Sequence, residues 1–429
     1  MDAKRAIRDA LDEARRRTWL LADGLDDAAL GEAACDFLSP PVWDLGHIAN
    51  FEELWLVQRI LDRPELHAGF NDTYDALRHP RKERPQLDLL DRAGARAYMD
   101  EVRARSLEVL TQADLAGDRL IRDGFVHWMI VLHEHQHQET LLQTIQMRGA
   151  EDQYRLPEVR RLPPPRPTRP GWVEVPEGSF TMGRPHGPGV YDNEAQPHDV
   201  DLPAFEMARY PVTVGAYLEF LESGGYEDRG LWSQRGRDWL DEGHHAPRYW
   251  RQVDGVWHRV GFGCSMPVTD HPDEILCHVT HFEAEAFARW AGARLPTEAE
   301  WEKAARWDPA TGSTRLNPWG DAPATTDVAN VDHLAFAPSR IGAFPAGASP
   351  VGCEHMIGDV WEWTASDWQP YPGFEAYPYK EYSKAFFGGD WRVLRGGAWA
   401  TRPSCATGTF RNWDHPFRRQ IFAGIRLAR

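Results

Sequence analysis

Residues 123–147 read DGFVHWMIVLHEHQHQETLLQTIQM. Val126, Ile130, Leu141 and Ile145 recur at helical spacing and form one apolar stripe, so the segment is expected to be an amphipathic helix. His133 and His137 fall on the same stripe. At i and i+4 they lie about 40° apart around the axis, one turn above the other, which lets both rings reach one ion. His135 points off the stripe by the same count, and His127 carries no separate signal. Glu139 sits about 200° from His137 and about 120° from His133, which favours a supporting role over ligation.

Working outward, residues 1–155 read as helices throughout. Ile7, Leu11 and Ala14 mark the first, and further helices are expected over 43–61, 92–112 and 123–147, with a long loop near 62–91. Four such helices suggest an antiparallel bundle. In the second, His47 shares a face with Phe51 and Leu54. Three imidazoles then point inward from two helices, a common way for bundle cores to hold a metal. Three neutral imidazoles leave three octahedral positions open. That suits iron(II) taking substrate and dioxygen together, and it also suits catalytic zinc, so ligand type alone does not select the metal. A competing reading lies in the same letters, because His133–His137 is formally H-E-x-x-H, the zinc-protease signature with Glu134 as base. No third ligand follows at the spacing those proteases use.

The stretch LPPPRPTRPGW, residues 162–172, marks the boundary, since its prolines cannot continue a helix and make a semi-rigid spacer. The chain is therefore divided into a helical domain (1–155), a Pro-rich linker (156–171) and a second domain (172–429). Beyond the linker, Gly, Pro, Trp and short β-prone runs dominate, as in VEVPEGSFTMG (173–183) and WRVLRGGAW (391–399). Helices are expected near 213–223 and 280–306. The fold class is multidomain, an α bundle followed by an α+β domain rich in irregular loop.

Composition bounds the function. The formal charge is −17, from 48 basic and 65 acidic residues, and no basic stripe appears, which argues against nucleic acid as a partner. The five cysteines are scattered without a C-x-x-C, which fits a reducing compartment. The opening MDAKRAIRDALDEARRR lacks an apolar signal core, and no run approaches the roughly 20 apolar residues that span a bilayer. A cytoplasmic chain with no membrane partner is expected, acting as a monomer.

At this point SPPVWDLGHIANFEELW (39–55) and HEHQHQE (133–139) resemble the DinB-like domain of the sulfoxide synthases of ergothioneine biosynthesis, the EgtB family. RLPTEAEWEKAAR (294–306), NPWGD (317–321), GDVWEWT (358–364), RVLRGGAW (392–399) and FRNWDHPFRRQIFAGIRLAR (410–429) look like the formylglycine-generating-enzyme fold, which is C-type-lectin-like. Formylglycine chemistry needs a cysteine pair shortly after the GG-x-W segment. Here Cys405 stands alone, with Thr401 and Ala406 at roughly the expected places.

The resemblance implies an Fe(2+) cofactor on His47, His133 and His137. It implies hercynine (N-α-trimethylhistidine), γ-glutamylcysteine or cysteine, and O2 as substrates, joined as a C2–sulfur sulfoxide. In the tyrosine-rich segment 371–387 the family pattern puts the catalytic phenol at Tyr379, able to donate a proton beside the iron, with Tyr382 as a pocket neighbour. The resemblance also implies that Arg81, Arg84 and Arg418 bind thiol-substrate carboxylates, which the guanidinium fork suits, and that Asp414 takes the ammonium. Gln136 and Asn412 are expected at the hercynine carboxylate and Trp413 against its trimethylammonium. The alternatives are a zinc hydrolase, whether H-E-x-x-H protease or DinB-type thiol transferase, and a lectin-like binding protein with an inert metal site.

Overall fold

The computed structural model describes residues 3–149 and 154–429. Contacts divide the chain into two compact units, Met1–Glu158 with Gly187–Gly189, and Val159–His186 with Val190–Arg429. The first contains four long helices: α1 (Ala3–Ala22), α2 (Pro41–Glu52), α3 (Arg92–Gln112) and α4 (Phe125–Met147). Local chemistry sets their ends. Pro41 opens α2, where its missing N–H costs nothing. The Asp91 carboxylate caps α3 by accepting from Gly94 N at 2.7 Å. Gly124 precedes α4 at φ +79°, and a Cβ there would strike the Ile7 side chain, so glycine is required twice over.

The structure amends the expected 43–61 helix. It begins at Pro41, and after Glu52 it widens into a π-helical turn, Glu53–Gln58, before the chain leaves helical geometry. The 62–91 stretch holds two short helical turns, Phe70–Thr73 and Arg81–Gln86.

At the centre of the bundle core each helix contributes one residue to a buried charge cluster. Arg15 of α1 meets Glu52 of α2 at 2.7 Å and Glu134 of α4 at 3.0 Å. Arg103 of α3 meets the same two carboxylates at 2.8 and 3.3 Å. All four side chains are buried. Burial pushes the Glu52 carboxyl up, but Arg103 and Arg15 outweigh it and bring it down from 4.5 to about 2.

In the second unit the sheet β1 (Trp361–Asp367), β2 (Arg392–Arg395), β3 (Asn412–Asp414) and β4 (Ala423–Gly424) runs in the order β3-β2-β1-β4. The β1–β2 and β2–β3 pairs are antiparallel and β1–β4 is parallel. Shorter pairs join Trp172–Val175 with Phe205–Ala208 and Gly178–Met182 with His198–Leu202. The expected 280–306 helix is two helices, His281–Trp290 and Glu298–Arg306. Gly292, at φ +65°, ends the first, and Pro296 precedes a new cap. Both helices start with a capping box, Thr280/Glu283 and Thr297/Glu300. In the LPTEAEWEKAAR motif Trp301 donates to Glu362 at 2.6 Å, and Glu362 also accepts Arg426, so these residues hold the fold together.

The Pro-rich stretch is not a free spacer. Arg160 N donates to Leu334 O at 2.9 Å and Arg166 N to Gly342 O at 3.2 Å, while Leu162 packs on a core of Leu334, Ala343 and Phe344. Its prolines suit an extended strap fastened to the second unit. Among the described residues, no helix is long and apolar enough to cross a membrane, and no disulfide joins the five cysteines.

Because the Glu52 carboxyl is held low, its contribution is complete above about pH 4.5 and is lost as pH falls toward 2. That shift corresponds to about 3 kcal/mol. Urea unfolding followed by helical circular dichroism, compared at neutral pH and at about pH 3, is expected to show this loss, and Glu52→Gln to remove most of it. Equal pH sensitivity in that variant would count against the charge cluster as its source.

Candidate metal centre

α2 carries His47, and α4 carries His133 and His137 one turn apart. The structure brings one ligand nitrogen from each to within 4.8 Å of the others. His47 Nε2 and His133 Nε2 are 3.2 Å apart. Two nitrogens each about 2.1 Å from a shared ion, at roughly right angles, would lie about 3 Å apart. The donor set therefore fits a single metal ion that His47, His133 and His137 would hold together.

Each ring is held from behind. His47 Nδ1 lies 2.7 Å from the Tyr74 carbonyl, which fixes the proton on Nδ1 and leaves Nε2 as the donor. His47 stacks on Trp43 with centroids 4.8 Å apart, and the Arg84 guanidinium lies over the ring of that tryptophan, 3.6 Å from its centroid. His137 Nδ1 is 2.9 Å from Asp44 Oδ1, a carboxylate–histidine pair that likewise frees Nε2. His133 stacks on Phe51 at 3.9 Å, and its buried Nδ1 has no hydrogen-bond partner among the described residues. Burial and then the neighbouring His137 push His47 and His133 well below the ordinary imidazole range. Neutral rings are what a metal requires.

Glu134 lies on the other side of α4. It accepts Arg15, Thr18 and Arg103, at 3.0, 2.8 and 3.3 Å, inside the charge cluster. A base for a zinc-bound water would need that carboxylate at the histidines. His135 is buried with its Nε2 3.9 Å from Glu13, and Glu139 is buried too. Asp44 is the residue that sequence reasoning passed over. Its signal was available, since Asp44 and His47 are i and i+3 on one helix. The Tyr74 carbonyl carried no such signal.

Arg84 is buried and donates to His79 O, Ser39 Oγ and Ala76 O at 2.9, 2.7 and 3.0 Å, which ties down its own loop. Burial brings its guanidinium down to about 10. Arg81 donates to Phe37 O at 2.9 Å and is half-buried. Gln136 is half-buried on α4.

In the second unit the remaining candidates gather around β3. Trp413 stacks on Trp368 with centroids 4.1 Å apart and meets Tyr382 edge-on at 5.6 Å. Tyr379 lies 6.4 Å from Tyr382, and burial, then the Asp192 and Glu381 charges, push its phenol well above the usual tyrosine value. Asn412 Oδ1 accepts from Trp413 N at 2.9 Å. Asp414 pairs with Arg418 at 3.1 Å, so these two face one another before any substrate arrives. Cys405 is buried.

Comparison with known proteins follows this geometry. Residues 159–429 match the sulfatase-modifying factor enzyme 1-like domain, and residues 10–141 match the DinB superfamily. The hercynine oxygenase of Mycolicibacterium thermoresistibile is 47% identical over 428 residues, covering 97% of this chain and 93% of that protein. That of Mycobacterium tuberculosis is 47% identical over 425 residues, covering 97% of each. The formylglycine-generating enzyme of Mycobacterium tuberculosis is 36% identical over 232 residues, 46% of this chain and 75% of that protein.

A DinB-like bundle and a sulfatase-modifying-factor-like domain in one chain, with full-length relatives that are oxygenases, define an oxidoreductase. The chain belongs to the hercynine oxygenase family.

Removing the group that orients His137 should loosen the metal site without dismantling it. Asp44→Asn is expected to weaken metal affinity about 10–100-fold, and His133→Ala to abolish retention, in anaerobic metal titrations. Affinity unchanged in Asp44→Asn would remove that carboxylate from the metal-holding role.

Proposed function

We propose that the chain is an iron(II)- and O2-dependent sulfoxide synthase of ergothioneine biosynthesis, joining C2 of hercynine to the sulfur of γ-glutamylcysteine or cysteine. The observation that carries this reading is the convergence of three imidazoles, two of them fixed through Nδ1, on one point. Kinship with hercynine oxygenases supports the imidazole substrate. Hercynine C2–H, thiol S–H and O2 balance to the sulfoxide and one water, with no external reductant.

Iron(II), when held by His47, His133 and His137, would supply the redox chemistry toward O2 and open positions for a thiol sulfur. The chain's own residues do the rest. Asp44 and the Tyr74 carbonyl keep the ligand rings in one tautomer. Tyr379, its phenol held protonated, is assigned as proton donor. Trp413, Tyr382, Asn412 and Gln136 are assigned to hercynine, with the indole face suited to its quaternary ammonium. Arg81, Arg84, Arg418 and Asp414 are assigned to the thiol substrate. Arg418 and Asp414 already face each other with opposite charges, which suits a zwitterion that takes one pole on each. Arg84 already gives donors to three backbone and hydroxyl acceptors, which leaves it few for a ligand. Glu134's place in the charge cluster weighs against the zinc-protease alternative. The reducing compartment suggested by five cysteines without a disulfide fits a cytoplasmic thiol substrate.

The test is oxygen uptake by anaerobically reconstituted protein. Uptake is expected only with hercynine and a thiol together, with mass spectrometry identifying the sulfoxide and comparing γ-glutamylcysteine with cysteine. Tyr379→Phe is expected to keep iron and substrate affinity and cut sulfoxide formation by about 10²–10⁴-fold. Full sulfoxide output from that variant, or full activity with zinc alone, overturns the assignment.

A further inference from the structure

Residues 190–195, Val-Tyr-Asp-Asn-Glu-Ala, form an irregular segment in which every residue is buried. Buried backbone outside a helix or sheet has to be satisfied by side chains. Glu194 does this work. Its carboxylate takes Arg184 at 2.9 and 3.0 Å, the Tyr191 N–H at 3.1 Å and the Thr409 hydroxyl. Arg411, fixed on Glu298 at 2.6 and 2.9 Å, donates to the Asn193 carbonyl at 2.8 Å. The segment is thereby a rigid platform.

Three platform side chains grip the tyrosine-rich segment. Tyr191 stacks on Tyr382 with centroids 4.1 Å apart and planes 14° apart. Asp192 accepts from the Tyr377 N–H at 3.2 Å through one oxygen and from the Ser383 hydroxyl through the other. Asn193 donates its amide to the same hydroxyl at 3.1 Å. Asp192, Asn193 and Ser383 are 2%, 1% and 0% exposed, so water does not compete for these bonds. Tyr379 lies between the two points that Asp192 holds.

We propose that Asp192 is the positioning residue of the tyrosine segment, fixing Tyr379 by clamping the backbone before it and the Ser383 hydroxyl after it. Both oxygens accept from donors, which the single acceptor oxygen of an amide would not match, and no cation pairs with this carboxylate among the described residues. A buried acid without a cation is costly, and such groups cluster at functional sites. Its charge also adds to burial in keeping the Tyr379 phenol protonated. The proposal rests on Tyr379 being the proton donor.

The experiment uses full-length, iron-loaded protein and two independent readouts. Hydrogen exchange of peptides covering residues 371–387 reports the clamp, and a double-mutant cycle of Asp192→Ala with Tyr379→Phe reports its purpose. Asp192→Ala is expected to raise exchange in that segment while peptides covering the metal helices stay as in the parent. It should lower kcat for sulfoxide about 10–100-fold with little change in KM. In the Tyr379→Phe background it should cost almost nothing more. Ser383→Ala, which releases one end and keeps the carboxylate, should show the same pattern more weakly and serves if Asp192→Ala does not fold. Parent-like exchange in the segment overturns the clamp. Multiplying losses in the double variant overturn action through Tyr379. If Tyr379→Phe alone leaves sulfoxide formation intact, the proton-donor reading fails, and the exchange data still decide the clamp.

Discussion

A closed ring of charge at the centre of the bundle is the constraint on which the metal site depends. Arg15, Glu52, Arg103 and Glu134 come one from each helix, and each arginine bridges both carboxylates. A buried ion pair often adds little net stability over well-packed apolar groups, because desolvation offsets the attraction. Its geometric effect is different in kind. Hydrogen-bonded charges tolerate almost no axial sliding, since a shift of one residue would strand a buried charge. Glu134 directly follows His133 and Glu52 follows Phe51, the ring on which His133 stacks. The register that closes the charge ring on one face therefore sets the spacing of the imidazoles on the other.

The second unit meets a related demand by other means. Much of its backbone is irregular and yet buried, so ladders cannot satisfy it. Fixed arginines do so instead. Arg395 and Arg411 share Glu298, Arg395 also reaches Glu302 at 2.6 Å, and Arg426 pairs with Glu362. All three arginines are essentially unexposed. Each guanidinium presents several donors in one plane, so a single side chain can tie a carboxylate and one or more stray carbonyls together. Side chains carried on such loops can be as well fixed as side chains on a helix.

Much of this was legible in the sequence, and what was missed has physical causes. The i, i+4 histidines on an apolar stripe locate the face of the candidate metal centre because helical geometry is local. Both capping boxes follow a local T-x-x-E pattern, and the reading of 280–306 as one helix passed over them. The break between His281–Trp290 and Glu298–Arg306 was marked by Gly292 and Pro296, but alanines and tryptophans of similar spacing on either side masked it. Proline content alone suggested a spacer over 162–172, whereas Leu162 makes the strap adhere. Arg84 matched a substrate-binding pattern by position, and only the fold reveals the three acceptors around its guanidinium. Backbone groups such as the Tyr74 carbonyl are invisible to any reading of side chains.

Histidine rather than carboxylate at the candidate site follows from the same economy of buried charge. Three neutral imidazoles can share a buried pocket without repelling one another, which three carboxylates could not do unless a cation were always present. The negative charge sits one step back, on Asp44, which bonds His137 Nδ1 rather than joining the three imidazoles. One oxygen of Asp44 makes that bond, and its other buried oxygen has no partner among the described residues. Desolvated on that side, the carboxylate is compensated by its His137 bond and by the nearby Arg84 charge. A ring held in this way is aimed before an ion arrives. The Asp44 and Tyr74 bonds thus orient two of the three donors from behind, above a charge ring that fixes the helices carrying them.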